Sequence, residues 1–288
     1  MTMVSTPVPG PGQLLIKLAS GEWTPAPATF PMVLGLDGAG VVETLGVGTT
    51  RFSPGERVFG QLFIPPIGSS GTFAEYVAVT AEAPLALVPE GLDLVVAAAT
   101  PSAGSTGLSL VELVEPIDDQ VVLIVGAGGG VGAFATQFAA AAGARVIANA
   151  HLSAAERMRS YGVEKTIDHT KISIEDAVRN AHPDGIDVLI DLVNDAEAFA
   201  SAASLVRPGG TAVTTQYVAD VEALQASEVH GVNFALNPTS ELLERVGRAL
   251  SDGTIVEPPI TRITLDDVPS LFASVVQPHA NGKTVVVL

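Results

Sequence analysis

The sequence predicts an α/β protein: a β-rich N-terminal lobe followed by a doubly wound parallel sheet with helices on both faces. Three observations carry this. Residues 1 to about 92 are rich in Gly, Pro and short β-like runs. From about Leu94 strand-like and helix-like segments alternate, the pattern of a parallel sheet covered by helices. Between Val121 and Ala150, VVLIVGAGGGVGAFATQFAAAAGARVIANA, a glycine cluster separates a β-branched run from an alanine-rich one.

The elements follow in order. In the first lobe, LLIKLA (Leu14 to Ala19), AGVVETLG (Ala39 to Gly46), ERVFGQ (Glu56 to Gln61) and FAEYVAV (Phe73 to Val79) read as strands, with Pro54 to Glu56 as a turn. LVVAAATPSAGSTGLSLVEL is helical and broken at Pro101, because proline lacks the N–H and clashes with the preceding turn. Val121 to Val125 suits a strand buried on both faces. ARVIANA (Ala144 to Ala150) is a second strand. SAAERMRSYG is a helix capped by Ser153 and stopped by Gly162. IDVLIDLV (Ile186 to Val193) is a strand, DAEAFASAASLV a helix ended by RPGG, and TAVTTQY (Thr211 to Tyr217) the next strand. GVNFALN (Gly231 to Asn237) is a further strand. TSELLERVGRALSDG is an amphipathic helix between a Thr239 cap and a Gly253 stop, and GKTVVVL closes the chain as a strand. The lobes are expected at 1–92 and 93–253.

The uncharged run from Val121 to Ala144 is long enough for a membrane span, which needs about 20 apolar residues. Its glycines argue otherwise, since each weakens a helix by about 1 kcal/mol. No basic flank orients a span either: Asp118 and Asp119 precede the run and only Arg145 follows. Strand, glycine turn, helix and second strand is the better reading, with no membrane partner.

The net charge of −17 disfavours non-specific nucleic-acid binding. The absence of cysteine excludes disulfides and thiolate metal ligands. MTMVSTPVPGPGQ has neither the basic start nor the apolar core of a secretory signal, so a cytoplasmic location is the default expectation.

Gly126, Gly129 and Gly132 form G-x-x-G-x-x-G, with Gly128, Gly130 and Val131 between them. The first glycine permits a tight turn, the middle one lets a pyrophosphate approach the backbone, and the last lets helix and strand pack closely. Free N–H groups at the helix start then meet phosphate oxygens. An NAD site usually places an acid about 20 residues on, against the ribose diol. Here the second strand ends Asn149-Ala150-His151 with no acid, and Arg157 and Arg159 follow. That combination favours a 2′-phosphate and hence NADPH. The same arginines would also suit a solvated helix face.

LGLDGAGVVETLGVGTTRFSPGERVFG (Leu34 to Gly60), followed by VGAGGGVGAFATQFA, resembles the medium-chain dehydrogenase/reductase superfamily, in particular its zinc-free, quinone oxidoreductase-like branch. FAEYVAV, AAATPSAGSTGLSL, MRSYGVEKTIDHT, IDVLIDLVNDAE, LVRPGGTAV and GKTVVVL have counterparts there in the same order. The resemblance implies a GroES-like lobe, completed by residues 254–288, and a Rossmann lobe. It implies hydride transfer from NADPH to the β-carbon of an enone, an enoyl thioester or a quinone. It places Thr106 near the nicotinamide, and Leu192, Val193, Asn194, Val213 and Thr214 along the cofactor. His169 stands where the family often has Tyr, near the adenosine phosphate end; a surface histidine after a strand is the plainer alternative. The family also implies a homodimer through the edge strand, here Gly231 to Asn237, since an unpaired apolar edge invites aggregation.

Zinc-dependent relatives use Cys, His and Glu. Here Gly35-Leu36-Asp37 stands where they read G-H-E, and the five histidines form no i, i+4 pair. A metal-free mechanism follows, with Asp37 structural. The family's substrate-side run, G-V-N-P-x-D-like, has no counterpart: Ala19-Ser20-Gly21 passes almost directly to Trp23 and Phe30-Pro31. The first strand pair of the family is likewise missing. Trp23 is a candidate roof for the cleft or a core plug. Tyr76 and Tyr217 are candidate proton donors, with solvent as the alternative.

Three readings therefore stand. The first is an NADPH-dependent, metal-free reductase of a quinone, enone or enoyl-type substrate with an open, permissive cleft. The second is a biosynthetic member doing cyclisation or isomerisation in the same cleft. The third is a non-catalytic NADPH-binding protein. NADPH consumption separates the first from the others, and conversion without net NADPH use marks the second.

Overall fold

The computed structural model describes residues 13–18, 33–62, 71–116, 118–274 and 281–288, with 13–18 and 272–274 as backbone only. Trp23 and Phe30-Pro31 lie outside the described residues. The chain divides into two units, Met1–Ser105 with Pro238–His279 and Lys283–Leu288, and Thr106–Asn237 with Ala280–Gly282. The boundary falls after Ser105 rather than at the compositional shift near residue 92. The helix at 240–251 belongs to the first unit rather than to the second.

The first unit opens with β1 (Gln13–Leu18), β2 (Asp37–Leu45), β3 (Arg57–Gln61), β4 (Tyr76–Thr80) and β5 (Leu85–Leu87). They form one antiparallel sheet in the order β4-β1-β2-β3-β5. Alternation along the strands buries Val42, Val58, Val77, Val79 and Leu85 on one face, with Phe52 and Leu62. Arg51 holds the sheet's corner: its guanidinium donates to Ala81 O and Ala83 O at 2.7 and 2.9 Å and lies over the Phe52 ring. Next come α1 (Leu94–Ala99), capped by the Asp93 carboxyl, and α2 (Pro101–Val114), of which the part from Thr106 onward belongs to the second unit. The break at Pro101 is as the sequence predicts. Asp37 is buried and accepts from Ser102 N at 3.0 Å and Ser102 Oγ at 2.5 Å, which ties β2 to the start of α2.

The second unit alternates β6 (Val121–Val125), α3 (Gly130–Ala141), β7 (Arg145–Asn149), α4 (Ala155–Ser160), β8 (Lys165–Ile167), α5 (Ile174–Ala181), β9 (Ile186–Asp191), α6 (Ala196–Ala203), β10 (Val206–Thr214), α7 (Val221–Ala226) and β11 (His230–Asn233). The strands form one parallel sheet in the order β11-β10-β9-β6-β7-β8. β6 is buried along its whole length, as a parallel strand covered on both faces must be. From β6 the chain builds outward through β7 and β8, returns to lay β9 against β6, and continues to β10 and β11. The strand order therefore reverses between β6 and β9, where open α/β sheets bind ligands.

Three expectations need correction here. Ser153 does not cap the helix after β7. His151 instead caps the 3-10 turn Leu152–Ala154, its Nδ1 accepting from Ser153 N at 3.2 Å, and α4 begins at Ala155 with no side-chain cap. The chain reaches this point still extended from the strand, so the cap falls on the first residue free to turn. RPGG does not lie between helix and strand. Arg207 to Gly210 belong to β10, where a register shift between Val206 and Thr211 absorbs them and Gly209 takes φ +82°. The strand expected over Gly231–Asn237 begins at His230 and ends at Asn233.

The chain returns to the first unit with α8 (Ser240–Ser251), β12 (Ile260–Ile263), α9 (Val268–Ser274) and β13 (Lys283–Val286). Thr239 caps α8, and Gly253 beyond its end takes φ +78°, both as read from sequence. β12 and β13 pair in parallel, and Val285 packs with Leu243, Phe59 and the alanines of α1.

Candidate functional site

The site is built around the β6 turn. Gly126 takes φ +85°, which lets the chain leave the sheet at once and return as α3. A Cβ on Gly132 would lie 2.6 Å from Ala127 Cα, so only glycine allows α3 to start this close to the strand. Gly129 is the α3 N-cap and gives no side-chain hydrogen bond, which leaves the first-turn N–H groups of Gly130, Val131 and Gly132 without a side-chain acceptor. Gly128, Gly129, Gly130 and Val131 are half-exposed. Such a turn is shaped for an anion.

Donors gather on the β7 side. Asn149 is buried at the strand's end, and its Nδ2 has no hydrogen-bond partner among the described residues. Arg157, on α4, reaches back with Nη2 to Gly128 O at 3.4 Å and to Asn281 Oδ1 at 2.8 Å. Its Nη1 is buried and has no partner among the described residues. Gly282 N donates to Gly128 O at 3.3 Å and bridges Gly129, so residues 281–282 run along the turn. Arg159 is exposed two positions further along α4, about 200° around the helix from Arg157. His169 is also exposed; His151 is exposed and caps the 3-10 turn before α4. Asp168, after β8, accepts from Thr170 Oγ1 and N at 2.7 and 3.0 Å, and these bonds hold its carboxyl below the usual range, the side-chain bond first.

The β9 side is the other wall. Leu192 is buried and Val193 is 61% exposed. A Cβ on Gly126 would lie 2.9 Å from Val193 Cγ1, so the wall stands directly against the turn. Asp191, fully buried, accepts from Val193 N, Asn194 N and Asn194 Nδ2. Val213 and Thr214 are fully buried, and the Thr214 hydroxyl accepts from Gln216 N. Gln216 is the residue of that loop which reaches the wall, donating to Leu192 O at 2.9 Å. Thr106 is half-buried on α2 in the second unit, and Tyr76 is half-buried on β4 in the first. Tyr217 is exposed at φ +58° after β10.

Sequence reasoning missed Asp191, Gln216 and Asn281. An acid ending an apolar strand just before a turn was a visible signal for Asp191. Nothing local marks Gln216 or Asn281. Among the described residues no three His, Asp or Glu side chains gather as a metal site, and no helix is long and apolar enough to cross a membrane.

An uncapped helix start, an open glycine turn and two orphaned nitrogen donors fit a phosphate-bearing dinucleotide. The parallel sheet with this turn at its switch point defines a dinucleotide-binding unit, joined to an antiparallel β-unit. Comparison with known proteins specifies the kind. Residues 13–90 match the alcohol dehydrogenase GroES-like domain, and residues 130–239 match the zinc-binding dehydrogenase family. The chain is 30% identical to the mouse (Mus musculus) mitochondrial NAD(P)H oxidoreductase RTN4IP1, over 89% of this chain and 70% of that protein. It is 28% identical to the 2-methylene-furan-3-one reductase of Solanum lycopersicum, over 94% of this chain and 67% of that one. Its fold matches the quinone oxidoreductase of Coxiella burnetii with a TM-score of 0.86 at 24% identity, over 99% and 93% of the two chains. The chain belongs to the medium-chain dehydrogenase/reductase superfamily.

Proposed function

We propose that the protein is an NADPH-dependent, metal-free reductase of small conjugated carbonyl compounds or quinones. The observation that carries this reading is the donor set at the end of β7. Asn149 Nδ2 and Arg157 Nη1 are buried without partners among the described residues, beside an uncapped glycine turn, and no acid ends the strand. Unpaired buried donors are costly, and an anionic group relieves that cost. Gly130, Val131 and Gly132 would hold the pyrophosphate by their N–H groups, Arg157 and Asn149 the 2′-phosphate end, with His151, Arg159 and His169 around it. Leu192, Val193, Asn194, Val213 and Thr214 would form or support the wall along the nicotinamide half, and Thr106 would lie near that ring.

When bound, NADPH would supply the two electrons of the reduction as a hydride to the substrate's β-carbon. The chain's part is to hold the reacting carbon in line and to stabilise the developing enolate. Solvent or a side-chain donor returns the proton, Tyr76 and Tyr217 being the candidates. Relatives named as reductases of an enone and as NAD(P)H oxidoreductases support the reaction class. A homodimer paired through β11 and a cytoplasmic location complete the proposal; β11 is an edge strand of the parallel sheet, which supports the pairing.

The test is turnover. NADPH consumption with a panel of quinones, enals and enoyl thioesters should yield the two-electron-reduced product in equal amount. Conversion without NADPH loss, or no conversion across the panel, overturns the reading.

A further inference from the structure

Asp191 ends β9 fully buried, and no arginine, lysine or histidine among the described residues pairs with it. Its partners all come from the corner that follows. Val193 N and Asn194 N donate to one carboxyl oxygen at 3.1 and 3.0 Å, and Asn194 Nδ2 donates to the other at 2.8 Å. Burial pushes this carboxyl up from its ordinary range, and the bonds from Asn194 and Val193 offset only part of that rise. A buried acid is a poor source of stability, and an apolar residue of similar volume avoids its desolvation cost. What the acid supplies is shape. One oxygen gathers two successive N–H groups, which folds residues 192–194 into a tight corner, and the other fixes the Asn194 side chain.

The corner is tied to both neighbouring strands. Leu192 N donates to Val125 O of β6 at 3.2 Å. Thr215 N, just beyond β10, donates to Asp191 O at 3.2 Å, and Gln216 Nε2 holds Leu192 O. With both ends fixed, the Asp191 bonds decide where Val193 projects, and Val193 is the side chain that stands against Gly126.

We propose that Asp191 is a positioning residue: by receiving Val193 N, Asn194 N and Asn194 Nδ2 it sets the crevice wall opposite the glycine turn, and thereby how tightly a dinucleotide is held. The proposal rests on the dinucleotide reading above. Its test combines a readout that needs no ligand with one that does, so the two can fail separately.

Amide exchange is measured on the free protein, and NADPH affinity by titration, for wild type, Asp191→Ala, Asp191→Asn and Asn194→Ala. In Asp191→Ala the Val193 and Asn194 amides exchange faster while β6 and β10 keep their protection, and NADPH binds about tenfold more weakly, the equivalent of one or two lost hydrogen bonds. Asp191→Asn restores both readouts to within about threefold, because an amide oxygen still receives both N–H groups and the Asn194 carboxamide turns to present its own oxygen. Asn194→Ala, at a half-exposed position, loses one bond and weakens binding by about threefold, which keeps the test alive if Asp191→Ala does not fold. Unchanged exchange at the corner in both alanine variants overturns the proposal, as does equal acceleration throughout β9 and β10. Asp191→Asn failing as badly as Asp191→Ala also overturns it, since charge rather than geometry would then be at work. If wild type binds neither NADPH nor NADH, the functional reading falls, and the exchange pattern alone decides whether Asp191 sets the corner.

Discussion

Gly126 and Val193, in the turns that follow the paired strands β6 and β9, face each other so closely that a Cβ on Gly126 would come within 2.9 Å of Val193 Cγ1. The glycine also sits at φ +85°, where an L side chain costs about 1–2 kcal/mol. Gly126→Ala should therefore lower the unfolding midpoint and weaken NADPH binding by at least about tenfold, the strain and the displaced wall acting together. Adding Val193→Ala should recover part of the affinity but not the backbone cost. Unchanged affinity in Gly126→Ala would show that the wall does not bear on the ligand.

Gly132 and Gly128 differ in what surrounds them. A Cβ at Gly132 would press on the Ala127 backbone, which has no rotamer to give, so Gly132→Ala should destabilise by about 2 kcal/mol or more. A Cβ at Gly128 would meet nothing closer than 3.9 Å, so Gly128→Ala should leave stability within about 0.5 kcal/mol while hindering phosphate approach. Denaturant unfolding and titration on the pair check this. The two variants swapping effects would reverse the roles assigned to the glycines.

Arg157 is expected to carry the choice between cofactors. Removing a charge-assisted donor to a 2′-phosphate costs about 1.5–3 kcal/mol, so Arg157→Met should weaken NADPH by about 10- to 100-fold and leave NADH nearly unchanged. Arg159→Met, at an exposed position, should shift either affinity by less than threefold, about 0.6 kcal/mol. Equal loss for both dinucleotides in Arg157→Met would make its role structural, through Gly128 and Asn281.

Thr170 holds the Asp168 carboxyl low, chiefly through its hydroxyl. A depressed acid contributes stability above the unfolded carboxylate range, and that contribution is lost as pH falls through the folded pKa. Thr170→Val should raise the Asp168 titration toward its ordinary value. The stability gap to wild type should be open at neutral pH and close as pH falls below the carboxylate range. A side-chain carbon titration by NMR reads the first effect and unfolding at two pH values the second; a gap that widens in acid contradicts the sign.

What was legible in the sequence is what single residue types dictate. Gly126 and Gly253 mark positive φ, Pro101 breaks a helix, Thr239 caps one, and the alternation after Leu94 gives the parallel sheet. β5 and β8, at three residues each, are too short for alternation to show. Arg207-Pro208-Gly209-Gly210 has the composition of a loop, yet the neighbouring strand holds it in β10 through a register shift. In the proposed site, the glycine turn and Arg157 stand out in the sequence because phosphate binding demands those residue types, and the titrations above test that role. The Asn281 contact joins residues 124 apart and leaves no local pattern. Asp191 looked like an ordinary strand acid until its burial was known.

The most direct test of the account is a calorimetric titration of the full chain with NADPH, with NADH as the control. The account predicts NADPH binding at about micromolar Kd or tighter, near −8 kcal/mol, with NADH at least about tenfold weaker. Equal affinity for the two would contradict the role given to Arg157 and the acid-free β7 end. Binding of neither would contradict the dinucleotide site itself.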